Sequence, residues 1–271
     1  MRNPFRRANR RPKVRSIDDR MTLLDHLAEL RNRIIKSLLA IMAGAVVVFL
    51  FYPQILEFLG NPYFDMCAQH PEWECSDRFI MTGPLDGFAI RMRVAGWGGL
   101  VLALPVVLWQ VWRFITPGLH PKEKRYAVPF ILSSVALFLF GAAIAFWTLP
   151  KAIEFLVDFS GDVSPLFTPN SYINLVMLMM LAFGGGFLFP VVLVFLEIAG
   201  VLHYKQLVKF RRYAVVLIVF VAAVITPSGD PYSLAALAVP MYVFYEGSIL
   251  IGMVIARRKA KALRAATAAP A

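Results

Sequence analysis

The sequence predicts an all-α polytopic membrane protein with six transmembrane helices, several of them bent by proline, and with both termini on the cytoplasmic side. Three observations carry this. Hydrophobic residues make up 59% of the 271-residue chain and charged ones 17%, whereas soluble domains average about 45–50% and 25%. Apolar runs that cross, or nearly cross, a hydrocarbon core of about 30 Å recur six times. The basic residues, 28 Lys+Arg against 17 Asp+Glu, collect in alternate connecting segments. A soluble domain is excluded by the first observation. Disorder is excluded by the 22 Phe, 5 Trp and long Leu/Val/Ile runs, which bury more than a disordered chain carries.

In order, the spans run from Ile34 to Tyr52, Val94 to Ile115, Ala127 to Leu149, Ile173 to Leu202, Tyr213 to Thr226 and Ser233 to Ala256. The fourth is long, at 30 residues. The fifth has 14, about 21 Å of helix, which is short of the core and calls for bilayer thinning or a partner helix. Pro105, Pro129, Pro190 and Pro240 fall in the second, third, fourth and sixth spans, where a missing N–H can bend a helix.

Charge orients the spans. Residues 1–36, 116–126, 203–212 and 257–271 together hold 23 of the 28 Lys+Arg, and an excess of this kind marks the cytoplasmic side. The net charge of +11 is therefore mostly topology, so no nucleic-acid partner is expected; membrane lipid is. The division is a basic tail at 1–21, a six-helix domain at 22–256 and a second basic tail at 257–271, the latter a frayed surface helix or disordered. No cleavable signal peptide is expected, because polar and helical sequence separates residues 1–20 from the first span. There is no phosphate-binding glycine loop and no metal-ligand spacing among the four His, so no cofactor, metal or enzymatic activity is expected.

Cys67 and Cys75 both lie in the external segment between the first two spans. They form either a disulfide that stiffens it or two unpaired thiols, the bridge being favoured.

Thr22 to Arg33 reads as a helix entering the first span, with Thr22 and Asp25 as its capping signal. Leu23, Leu27, Leu30 and Ile34 form an apolar stripe, and Glu29 and Arg33 an i,i+4 pair on another face. Such a helix lies in the membrane interface. Glu123 is the one acid in the basic segment 116–126, where Pro117, Gly118 and Pro121 impose a turn. Each glutamate either docks a cationic ligand or balances its basic neighbours. Deeper acids are fewer. Glu246 lies 13 residues into the sixth span, about 20 Å, and needs a proton, a partner or a cavity. Glu197, five residues from the end of the fourth stretch, is expected to reach the cytoplasmic interface.

These residues, in order, resemble the TatC subunit of the twin-arginine protein translocase from about Thr22 to Ala256. The resemblance is carried by His26-Leu27-Ala28-Glu29-Leu30-Arg31-Asn32-Arg33, by Pro105 through Trp109-Gln110-Val111-Trp112-Arg113-Phe114-Ile115-Thr116-Pro117-Gly118-Leu119 and Glu123-Lys124-Arg125, and by Phe183-Gly184 to Pro190. Thr226-Pro227 with Asp230 at the external tip, and Pro240-Met241-Tyr242 with Glu246, complete it. The resemblance implies six bent helices in a cupped arrangement and a receptor for folded export substrates carrying a twin-arginine signal peptide. In it Glu29 and Glu123 contact the paired arginines, with Phe114, Leu119 and Arg31 shaping the site; a guanidinium fork suits a carboxylate as an ammonium does not. It also implies single-span TatA- and TatB-type partners along the fifth and sixth spans, homo- and hetero-oligomers, transport driven by the proton-motive force, and location in the bacterial cytoplasmic membrane. One departure stands out: where the family carries Phe-Glu-x-Pro in the fourth span, this chain has Phe187-Leu188-Phe189-Pro190. The alternative reading is a proton-coupled small-solute secondary transporter, to which a deep Glu246 and bent spans would be natural.

Overall fold

The computed structural model describes residues 23–73, 79, 83–115, 127–161 and 168–267, with the side chains of 23–25, 72, 115 and 259–267 excepted. Every regular element among them is helical: α1 Leu23–Leu50, α2 Tyr52–Gln69, a short 3-10 turn Pro71–Trp73, α3 Asp86–Ile115, α4 Ala127–Ser160, α5 Pro169–Gly186, α6 Phe189–Ile198, α7 Tyr204–Ile225 and α8 Pro231–Thr267. Five helical stretches are long and apolar enough to span a membrane: α1, α3, α4, α5 with α6, and α8. α7 is the sixth and weakest. Its first half carries Lys205, Lys209, Arg211 and Arg212, so its apolar part begins at Tyr213 and extends about 20 Å.

Several elements depart from expectation. The helix ahead of the first span is continuous with it in α1, because no breaker separates Arg33 from Ile34. The segment between the first two spans contains α2, which carries two prolines; one sits in the first turn, where it forfeits nothing, and Pro62 lies inside. Pro129 is also in a first turn, so the interior proline of α4 is Pro150, and that helix continues to Ser160. The long fourth stretch is two helices. The chain breaks at Phe187 and Leu188, just ahead of Pro190, which has no N–H to offer the carbonyl four residues back. α8 continues as helix to Thr267, through most of the expected C-terminal tail. Cys67 is disulfide-bonded; Cys75 lies outside the described residues.

The helices pack as a row. α1 lies antiparallel to α3 along its length, α4 against α5, and α8 against α4, α6 and α7. At one end of the α1–α3 seam His26 stacks on Phe114 with ring centroids 4.4 Å apart. At the other, Arg91 lies 4.1 Å over the Phe49 ring and donates to the Phe49 carbonyl at 3.2 Å. Between them the two backbones nearly touch: a Cβ at Gly99 would lie 2.5 Å from the Ala45 nitrogen, and one at Gly44 2.8 Å from the Gly99 carbonyl oxygen. Only glycine permits this approach. The core lies where α4, α5, α6 and α8 meet, around Leu149, Phe183, Phe187, Leu237 and Ile249, all buried. Outward faces stay apolar, with Leu27 and Ile34 on α1 and Val216, Phe220 and Val224 on α7 exposed, as lipid-facing positions require.

Candidate functional site

The N-terminal end of α1 and the C-terminal end of α3 build a polar corner on an otherwise apolar surface. His26, Glu29 and Arg33 recur at i, i+3 and i+7 on α1 and so share a face; Gln110 and Phe114 do the same on α3. Arg33 donates to Glu29 Oε1 through both Nε, at 3.0 Å, and Nη2. Its remaining arm, Nη1, reaches Gln110 Oε1 at 3.5 Å, the outer limit of a hydrogen bond. Both partners are mostly covered, Arg33 at 16% and Glu29 at 20% side-chain exposure. The second oxygen of Glu29, Oε2, is shielded from water and has no hydrogen-bond partner among the described residues. This carboxylate thus carries a single cation on one oxygen and has unused acceptor capacity on the other.

Of the expected site residues, the structure brings Glu29 and Phe114 into one corner and turns Arg31 away, exposed on the far side of α1. Glu123 and Leu119 lie outside the described residues. The arginine that engages Glu29 is Arg33. His26 and Gln110 belong to the same corner, and their i+3 and i+4 spacing to Glu29 and Phe114 is the sequence signal that points to them. What the spacing lacks is the pairing of α1 with α3.

Three further acids find defined environments. Glu246 accepts from Arg211 of α7 at both oxygens, Nη2 to Oε2 at 2.7 Å and Nε to Oε1 at 2.7 Å, and from the Tyr242 hydroxyl at 2.9 Å. Its charged partner thus comes from the basic first half of α7. Asp230 is fully buried, not a free tip; it accepts from the Ser233 N–H at 2.6 Å and from the Ser228 hydroxyl, and so caps α8. Glu197, near the C-terminal end of α6, is packed inside the protein. It is 6% exposed, with both carboxylate oxygens lacking hydrogen-bond partners among the described residues. It is seated against Gly252 of α8, where a Cβ would lie 2.6 Å from Oε2 and closer still to Oε1. Among the described residues no three His, Cys, Asp or Glu gather as a metal site would.

Two surface hollows flank α6 and α8. One of about 540 Å³ is lined by Phe189, Leu193, Phe210, Ile218, Met241 and Tyr245, between α6, α7 and α8. The other, about 360 Å³, is lined by Trp112, Phe130, Phe195, Phe244, Ser248 and Ile251, between α3, α4, α6 and α8. Both are almost wholly apolar, as suits lipid or an apolar helix.

Residues 25–240 match the family model described as Sec-independent protein translocase protein (TatC). Sec-independent protein translocase protein TatC of Frankia casuarinae is 38% identical over 258 residues, covering 92% of this chain and 70% of that one. The protein of the same name from Deinococcus radiodurans is 36% identical, covering 87% and 85%, and that of Aquifex aeolicus 35%, covering 88% and 98%. A crystal structure described as the twin arginine translocase receptor TatC superposes with a TM-score of 0.66 at 34% identity, over 84% of this chain and 98% of that one. With a family match over most of its length and relatives of this identity and coverage, the chain belongs to the TatC family of Sec-independent protein translocase proteins.

Proposed function

We propose that this twin-arginine translocase subunit is the receptor for twin-arginine signal peptides, and that Glu29 and Glu123 hold the paired arginines at the cytoplasmic face. The observation that supports this is Glu29 itself, a largely covered carboxylate with one oxygen unpartnered among the described residues. The segment carrying Glu123 leaves α3 just beyond Phe114, which contacts His26 one turn from Glu29. Leu119 belongs to that same segment. Two carboxylates against an otherwise basic surface select a dication, and the planar fork of each guanidinium satisfies a carboxylate with two parallel donors.

The exposed apolar face of α7 and the hollow it shares with α8 suit single-span partners of the TatA and TatB type. An added helix would also relieve the mismatch of the 13-residue apolar part of α7. The chain serves as receptor and scaffold in the bacterial cytoplasmic membrane, with both termini cytoplasmic, and transport draws on the proton-motive force. The transporter alternative depended on a deep, available Glu246. Both oxygens of that carboxylate are taken by Arg211 and Tyr242, so nothing favours it.

The test is a photo-crosslinker beside Glu29 or Glu123, presented with a twin-arginine peptide or its twin-lysine variant. Capture of the first and not the second is expected; equal capture of both, or of neither, overturns the assignment. In cells, Glu29→Ala and Glu123→Ala should each impair export, and more severely together, while membrane insertion stays intact.

A further inference from the structure

The receptor reading leaves one contact unexplained. If Glu29 awaits a guanidinium from a peptide, it already holds one from its own chain. Arg33 places two of its N–H donors on Oε1 and is steadied from α3 by Gln110. An i,i+4 ion pair on an exposed helix is worth little and exchanges freely with solvent. This one differs: both side chains are more than three-quarters covered, and the guanidinium bridges two helices. The carboxylate is neutralised in place, while its other oxygen is shielded and has no partner among the described residues.

We propose that Arg33 is an internal stand-in for the signal-peptide arginine, an auto-occluding contact that the incoming guanidinium must displace from Glu29. The inference rests on the receptor reading and deepens it by naming how occupancy of that site is regulated. Exchange of one guanidinium for another is close to balanced, because the bonds broken to Arg33 are remade to the ligand. Net affinity then comes from the rest of the peptide, and the released Arg33 side chain still has Gln110 and water to satisfy it. Such a site binds reversibly, which a receptor that must hand its cargo onward requires. A bare carboxylate in the same corner would hold the cation more tightly and release it more slowly.

The sign of the expected effect separates this from a merely structural role. In the full-length protein in lipid nanodiscs, with a fluorescent twin-arginine peptide as probe, Arg33→Gln should tighten binding by about tenfold, the equivalent of one charge-assisted hydrogen bond no longer competed away. Dissociation should slow by a similar factor. Arg33→Lys, which keeps the charge but loses the fork, should give an intermediate gain, and Gln110→Leu a smaller gain of the same sign. Glu29→Gln should abolish the gain in the Arg33→Gln background. Weakened or unchanged binding in both Arg33 variants overturns the proposal, and covers the case in which removing Arg33 only disturbs α1. If Glu29→Gln alone leaves peptide binding intact, the receptor reading at Glu29 fails. If Glu29→Gln abolishes binding yet neither Arg33 variant strengthens it, the stand-in role alone fails.

Discussion

Gly252→Ala tests the contact between α6 and α8 with one methyl group. The new Cβ would lie 2.6 Å from Glu197 Oε2 and nearer to Oε1, well inside van der Waals contact, and Glu197 is buried with little room to retreat. Overpacking of this kind costs about 1–3 kcal/mol. Against it stands the better helix propensity of alanine, worth up to about 1 kcal/mol. In the native background the sum is a loss of about 0–2 kcal/mol. In a Glu197→Ala background the collision is gone and only the propensity gain remains, so the same substitution should stabilise by up to about 1 kcal/mol. The double-mutant cycle therefore predicts a coupling of about 1–3 kcal/mol. Thermal unfolding of the four proteins in one detergent measures it. An effect of Gly252→Ala that is the same in both backgrounds, within about 0.5 kcal/mol, would refute the seating of Glu197 on Gly252.

Two other contacts make separate predictions. Asp230→Ala removes the buried cap of α8 and should cost about 0.5–2 kcal/mol in the same unfolding assay, whereas Asp230→Asn should cost less. Arg211→Gln and Glu246→Gln each leave one charge unpaired between α7 and α8; each should loosen α7, read as faster proteolysis near residue 211, and the double substitution should be milder than either alone.

What could be read from the sequence was what depends on near neighbours. Glu29 and Arg33 were visible as a pair because four residues bring them to one helix face, and the short fifth span was visible because Arg211 and Arg212 abut its apolar run. Contacts between distant segments were not. Glu246 looked stranded because its partner lies 35 residues earlier on another helix. Glu197 was assigned to the cytoplasmic interface by counting along one 30-residue stretch, and counting could not reveal that the chain breaks at Leu188 or that α8 offers it a glycine seat. α2 was not expected: it lies between the first two spans and carries Pro53 in its first turn and Pro62 inside. The polar corner itself was half legible, with Glu29 and Phe114 named and Gln110 overlooked, since the pairing of α1 with α3 is a tertiary fact.

The glycine contact in the middle of that pairing acts at a distance. Gly44 lies eleven residues beyond Arg33 on α1, and Gly99 eleven residues before Gln110 on α3, close to three helical turns on each strand. The two helices thus carry matched spacers, and a single backbone contact in the apolar interior sets the height at which the polar groups meet about 16 Å away. A slip of one turn would offset them by about 5.4 Å and leave Arg33 opposite Val106 or Phe114 instead of Gln110. Bulk introduced at position 99 would then be felt at the Arg33–Gln110 end of the seam as well as where it was placed.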